Sequence, residues 1–222
     1  MSDPASGRSY WDAVAGKKEF TVPLPEALLT RYVASDAALL DCGCGYGRSL
    51  AELQSRGYRR LAGCDFSSAM IALARARVPD AELKVNAPLE LPFADRSFDA
   101  VLLLAVLTCI IADADQQRML GEIVRVLRPG GVVIAGDFLL NTDARNQARY
   151  RQYQAQFGTY GVFALPEEGA VLRHHDRAWL ETLFAGFDAL DFQTTVYRTM
   201  NGHRSNGFYF VGKRTERTGS NA

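Results

Sequence analysis

The sequence contains no run of about eighteen apolar residues and no apolar leader behind a basic start, so neither a membrane span nor a secretory signal is expected. It carries no charge excess. Lys plus Arg and Asp plus Glu stand at 25 each, so no overall field draws the protein to a nucleic-acid backbone or an acidic membrane, and a small-molecule partner is favoured. Cysteine is sparse, and Cys42, Cys44, Cys64 and Cys109 form neither C-x-x-C nor another zinc spacing. They read as small core residues, and no metal is expected. Only three histidines exist, His174, His175 and His203. What remains is a chain of 222 residues, expected to be cytoplasmic and one domain, 1–222, and somewhat long for a domain without insertions.

The organising stretch is Asp41-Cys42-Gly43-Cys44-Gly45-Tyr46-Gly47. Ala37 to Leu40 before it reads as a strand, and Arg48 to Arg56 after it reads as a helix that Gly57 stops. Glycines at such a junction let the backbone turn sharply and approach a ligand, while the helix start offers unpaired N–H groups. The spacing is G-x-G-x-G, which departs from the dinucleotide pattern G-x-G-x-x-G, whose last position would fall on Arg48. A second apolar run, Leu61 to Cys64, ends at Asp65, about twenty residues beyond the turn. An acidic side chain there can accept both hydroxyls of a ribose, so turn and acid together indicate a nucleoside.

Three further segments narrow the reading: Leu91-Pro92-Phe93 with Asp95 and Ser97-Phe98-Asp99, the apolar run to Leu104, and Val126-Leu127-Arg128-Pro129-Gly130-Gly131. In combination, residues 36 to 137 resemble the class I S-adenosylmethionine-dependent methyltransferases of the small-molecule type, with methyltransferase-11-like motifs. The resemblance implies an α/β fold: a doubly wound, Rossmann-like, seven-stranded, mostly parallel sheet whose last strand is antiparallel. It implies S-adenosylmethionine as cofactor. Carried over residue by residue, it places Asp41, Gly43, Gly45 and Gly47 at the methionine and ribose part, Asp65 at the ribose hydroxyls, Phe66 beside the adenine, Asn86 and Ala87 at its edge, and Leu104 by the methyl donor. The family commonly has an acid near position 86; an amide oxygen still accepts.

Residues 10–35 read as an N-terminal lid and helix, with Tyr10, Trp11 and Phe20 suited to folding over the cofactor, whereas residues 1–9 are expected to be loosely held. Residues 138–176, after the fifth strand, are too long for an ordinary connection and read as a cap insertion. In its helix, Asn146 to Phe157, Tyr150, Tyr153 and Phe157 share one face, which either packs on the domain or walls the substrate. Left exposed, that face would suit a homodimer. Arg173, Arg204 and Asn206 are candidates for holding an acceptor, together with Tyr10 and Trp11. The base candidates are His174, His175, His203 and Asp137. The chain is thus expected to be an enzyme that transfers methyl in line to a small acceptor. Two alternatives stay open: an intramolecular displacement releasing methylthioadenosine, and a non-catalytic regulatory binder. A nicotinamide dehydrogenase is disfavoured because doubly wound oxidoreductases lack the closing hairpin read from Phe187–Thr199 and Phe208–Arg214.

Overall fold

Leu39, Leu40, Val101, Leu102, Leu103, Val133 and Ile134 sit in apolar runs without polar alternation, and none retains any exposure. Strands of that composition need cover on both faces, which calls for a parallel sheet between two helical layers. The computed structural model describes residues 4–215 and has this architecture. Its strands are β1 (Ala38–Cys42), β2 (Arg60–Asp65), β3 (Glu82–Val85), β4 (Phe98–Leu104), β5 (Leu127–Phe138), β6 (Val162–Leu165), β7 (Ala170–Arg173), β8 (Phe187–Arg198) and β9 (Arg204–Arg214). Seven of them form one sheet in the order β3-β2-β1-β4-β5-β9-β8, and β6 with β7 makes a separate antiparallel hairpin. The pairings from β3 to β5 are parallel; β9 runs antiparallel to β5 and β8.

The helices are α1 (Pro4–Val14), α2 (Glu26–Tyr32), α3 (Arg48–Ser55), α4 (Ser68–Arg77), α5 (Asp113–Val126), α6 (Ala144–Phe157) and α7 (Arg177–Leu183). One face of the sheet is covered by Leu29 of α2, Leu50 and Leu53 of α3, and Ile71 and Ala74 of α4. Met119, Leu120 and Ile123 of α5 and Leu180 and Leu183 of α7 cover the other. No helix among the described residues is long and apolar enough to cross a membrane. Between β5 and α7 stand α6 and the β6–β7 hairpin, the segment read as a cap.

Three expectations change. Residues 1–9 were expected to be loose, yet α1 begins at Pro4; residues 1–3 and the tail 216–222 lie outside the described residues. Helix α5, expected from Gln116 to Leu127 behind a cap at Asp113 or Asp115, instead starts at Asp113 behind Ala112 with no side-chain cap, and Asp113 is engaged by Arg173 at 2.5 Å. The last hairpin is longer than its apolar residues suggest: β9 starts at Arg204, with Arg198↔Arg204 and Tyr197↔Ser205 as its final rungs. Backbone pairing continues there although the side chains turn polar.

Candidate active site

β1 and β2 deliver Asp41 and Asp65 to the carboxyl edge of the sheet, and the backbone then locks the intervening turn. The N–H groups of Gly43 and Cys44 both donate to Cys64 O at 2.9 Å. Asp65 completes the fastening, with Oδ2 accepting Gly45 N at 3.0 Å and Oδ1 accepting Ser67 N at 2.9 Å. Burial pushes its carboxyl up to about 6, against the pull of those two bonds. Burial likewise pushes Asp41 up to about 7, with Arg48 opposing, and Asp41 accepts no hydrogen bond among the described residues. A buried acid with that environment favours an incoming cation.

The N-terminal segment lies directly on this turn. At Gly45, φ is +51°, and a Cβ there would stand 2.1 Å from Phe20 Cε2. Phe20 N donates to Tyr46 Oη at 2.9 Å, Arg48 donates to Val22 O, and Tyr209 Oη donates to Pro23 O at 2.8 Å. Rings continue outward from Tyr46 to Phe20 (4.8 Å), Trp11 (5.7 Å) and Tyr10 (5.0 Å). Asp12 docks α1 on the start of α4, its Oδ1 accepting Ser67 Oγ at 2.5 Å and Ala69 N at 3.3 Å. Nothing in the sequence marks Asp12 apart from other surface acids.

Asn86 follows β3, held next to Asp65 by its N–H on Asp65 O at 3.2 Å. Its Nδ2 donates to Ala87 O at 2.8 Å, which fixes the amide orientation, and its Oδ1 is buried with no donor. Phe66 is half-buried, with no ring partner among the described residues. Beyond Leu104, Ala105 takes a φ of +55° while donating to Gly136 O at 2.8 Å, and Val106 Cγ2 comes to 2.6 Å from where a Cβ on Gly43 would lie. Asp137 is fully buried and accepts Thr108 N at 3.0 Å and Phe138 N at 2.7 Å; burial pushes it up to about 7. Its carboxylate holds the loop after β4.

The histidines are not equivalent. His175 has both ring nitrogens committed, Nδ1 donating to Phe138 O at 3.1 Å and Nε2 accepting from Gln116 Nε2 at 2.8 Å, and burial lowers it to about 3. His174 is buried too, with Tyr150 Oη at 2.6 Å and Asn141 Nδ2 at 3.2 Å converging on Nδ1. Two donors on one nitrogen leave the proton on Nε2, and burial with Arg149 nearby holds the ring well below its usual range. Burial thus works against proton uptake by either ring near neutrality. His203 is exposed in the β8–β9 turn, beside exposed Arg204.

The acceptor candidates separate as well. Arg173 is buried and donates to Ile111 O at 3.0 Å and to Asp113, so its guanidinium joins the end of β7 to the start of α5. Asn206 donates through Nδ2 to Leu140 O at 3.1 Å. Tyr150 is fully buried against His174 and Phe163, whereas Tyr153 and Phe157 pair with each other at 6.0 Å and stay half-buried. Sequence reasoning missed Phe138, which ends β5 at the carboxyl edge. His174 stacks on it at 5.5 Å, and Tyr197 meets it edge-on at 5.6 Å.

Residues 40–135 match the methyltransferase domain family. A demethylmenaquinone methyltransferase of Beutenbergia cavernae is 34% identical over 194 residues, covering 82% of this chain and 79% of that one. A protein of the same description from Mycobacterium tuberculosis is 31% identical over 191 residues, covering 80% and 79%. Among solved structures, an S-adenosylmethionine-dependent methyltransferase from Methanosarcina mazei aligns with a TM-score of 0.81 at 27% identity, over 87% of this chain and 98% of that one.

Proposed function

The chain belongs to the class I S-adenosylmethionine-dependent methyltransferases, and from that premise we propose that it methylates a small, flat, largely apolar acceptor enclosed between the donor turn and the cap, in the cytoplasm. The four cysteines are free, which suits a reducing compartment. The orphaned Oδ1 of Asn86 tests the fit of the cofactor: it is a buried acceptor in want of a donor, at the position where the adenine amino group would supply one. The remaining lone pairs of Asp65 would take the ribose hydroxyls, Asp41 the ammonium of the methionine part, and Phe66 and Ala87 would flank the base. Gly43, Gly45, Gly47 and Leu104 would shape the space between. When bound, S-adenosylmethionine supplies an electrophilic methyl for in-line displacement.

The observation that carries the acceptor half is the aromatic cluster at the carboxyl edge, where half-buried Phe138 is backed by the buried rings of His174 and Tyr197 and open α/β folds hold their ligands. Relatives described as demethylmenaquinone methyltransferases support the same class of acceptor. The chain's contribution is then orientation and exclusion of water, worth about 7–11 kcal/mol in well-aligned systems. We assign no proton removal to His174 or His175; the Nε2–H of His174 is suited to donating to an acceptor oxygen. The test is mass spectrometry of the purified protein with S-adenosylmethionine and a panel of quinols, phenols and a small-metabolite extract. S-adenosylhomocysteine accompanied by a methylated panel member supports the proposal. Methylthioadenosine formed from the cofactor alone refutes it.

Asp41 also gives a pH prediction. Its folded pKa is raised to about 7, so it ionises as pH rises through 7 and attracts the donor's ammonium only above that range. Affinity for S-adenosylhomocysteine should therefore fall as pH is lowered from about 8 to 6. Asp41→Asn should bind weakly with a flatter profile over that window. Parallel profiles for parent and variant, by calorimetry, would remove Asp41 from this role.

A further inference from the structure

We propose that Glu168 is a latch that ties the N-terminal segment to the cap, so that the donor leaves its site only when this carboxylate lets go. The inference rests on the donor site proposed above. Glu168 lies in the turn of the β6–β7 hairpin, yet its partners come from elsewhere in the chain. Tyr10 Oη donates to Oε2 at 3.1 Å, and Lys18 forms an ion pair with the same oxygen while donating to Tyr10 Oη at 3.4 Å. From the β8–β9 turn, Asn201 Nδ2 donates to Oε1 at 2.6 Å. One carboxylate thus joins the three segments that border the site: N-terminal lid, cap and closing hairpin.

Its position distinguishes it from the other ties of the lid. Asp12 anchors α1 on α4, and Phe20 N and Val22 O bond to Tyr46 and Arg48 of the glycine turn. Those contacts stay on the donor side, and the bond of Tyr209 Oη to Pro23 O reaches β9 and not the cap. Glu168 reaches across to the cap, and the rings of Tyr10, Trp11 and Phe20 connect it to Gly45. Release of Glu168 would part the cap and the β8–β9 turn from the lid while α1 remained docked. The side chains of Lys18 and Glu168 keep 25% and 20% of their exposure, so the bond is shielded enough to hold and open enough to break without unfolding the core.

The experiment uses the full chain loaded with radiolabelled S-adenosylhomocysteine, diluted into unlabelled excess, with bound label followed over time. Glu168→Gln keeps the side-chain shape and removes its charge; release should become about tenfold faster, the scale of one charge-assisted hydrogen bond. Lys18→Met, on the half-exposed lid, should accelerate release comparably and keeps the test available if the Glu168 variant misfolds. The double variant should be no faster than the faster single, and the swapped pair Lys18→Glu with Glu168→Lys should restore slow release. Bound label released within twofold of the parent rate in both singles overturns the latch, as do accelerations that multiply in the double variant. A parent that binds no S-adenosylhomocysteine instead refutes the donor site, which separates the two failures.

Discussion

Asp65→Ala should weaken S-adenosylhomocysteine binding by about 100-fold to 1,000-fold, or about 2.7–4.1 kcal/mol. The size follows from what one carboxylate does. It accepts Gly45 N and Ser67 N, which fix the glycine turn and the start of α4, and its remaining lone pairs are the proposed seat of both ribose hydroxyls. Hydrogen bonds to a charged group contribute about 1.5–3 kcal/mol each, so loss of two ribose contacts alone reaches the lower bound. Stability should move less. The variant leaves two backbone donors unpaired, but it also removes an acid that burial holds at about 6. The contrast to measure is Asp65→Asn, which preserves volume and one acceptor oxygen but turns its amide NH2 onto one of the two backbone donors: melting closer to the parent than that of Asp65→Ala, with binding still at least about tenfold weaker, places the loss in recognition. Parental affinity in both variants would sink the assignment of Asp65.

The strand, glycine turn and helix of the proposed donor site were legible because their signals are local. Strand, glycine turn, helix and acid lie within residues 38–65, and their geometry follows from sequential backbone constraints. Asn86 could be placed from the end of β3, although its unpaired Oδ1 needed a structure to see. The histidines show the limit. An imidazole has an ordinary pKa near neutrality, and only burial behind Tyr150, Asn141 and Gln116 reveals that His174 and His175 are held neutral with their proton-accepting nitrogens occupied. Arg173 misled for the same reason: a loop arginine looks free until Ile111 O and Asp113 are found against it. Glu168 gave no signal, since Tyr10 and Lys18 stand 158 and 150 residues away and a loop glutamate is an ordinary surface residue.

Gly45→Ala should have the second-largest effect, through Phe20. An alanine held at φ +51° costs roughly 1–2 kcal/mol in backbone strain alone. The added methyl would also meet three atoms of the Phe20 ring, the nearest at 2.1 Å, so the ring must leave its place over the turn. Its contacts with Tyr46 at 4.8 Å and Trp11 at 5.7 Å go with it, each worth about 0.5–1.5 kcal/mol. Trp11 then becomes wetter: its emission should shift to the red, and donor affinity should fall about tenfold to 100-fold as the lid loses its seat. Gly47→Ala is the control. Its φ of +79° imposes similar strain, but its Cβ would meet Ala74 and Val78 at 3.2 Å and leave Phe20 alone. Both variants should melt lower than the parent, and only Gly45→Ala should move the Trp11 signal. A red shift of equal size in both would mean that the turn reports general loosening, and Phe20 would lose its place as the contact through which the glycine turn holds the lid.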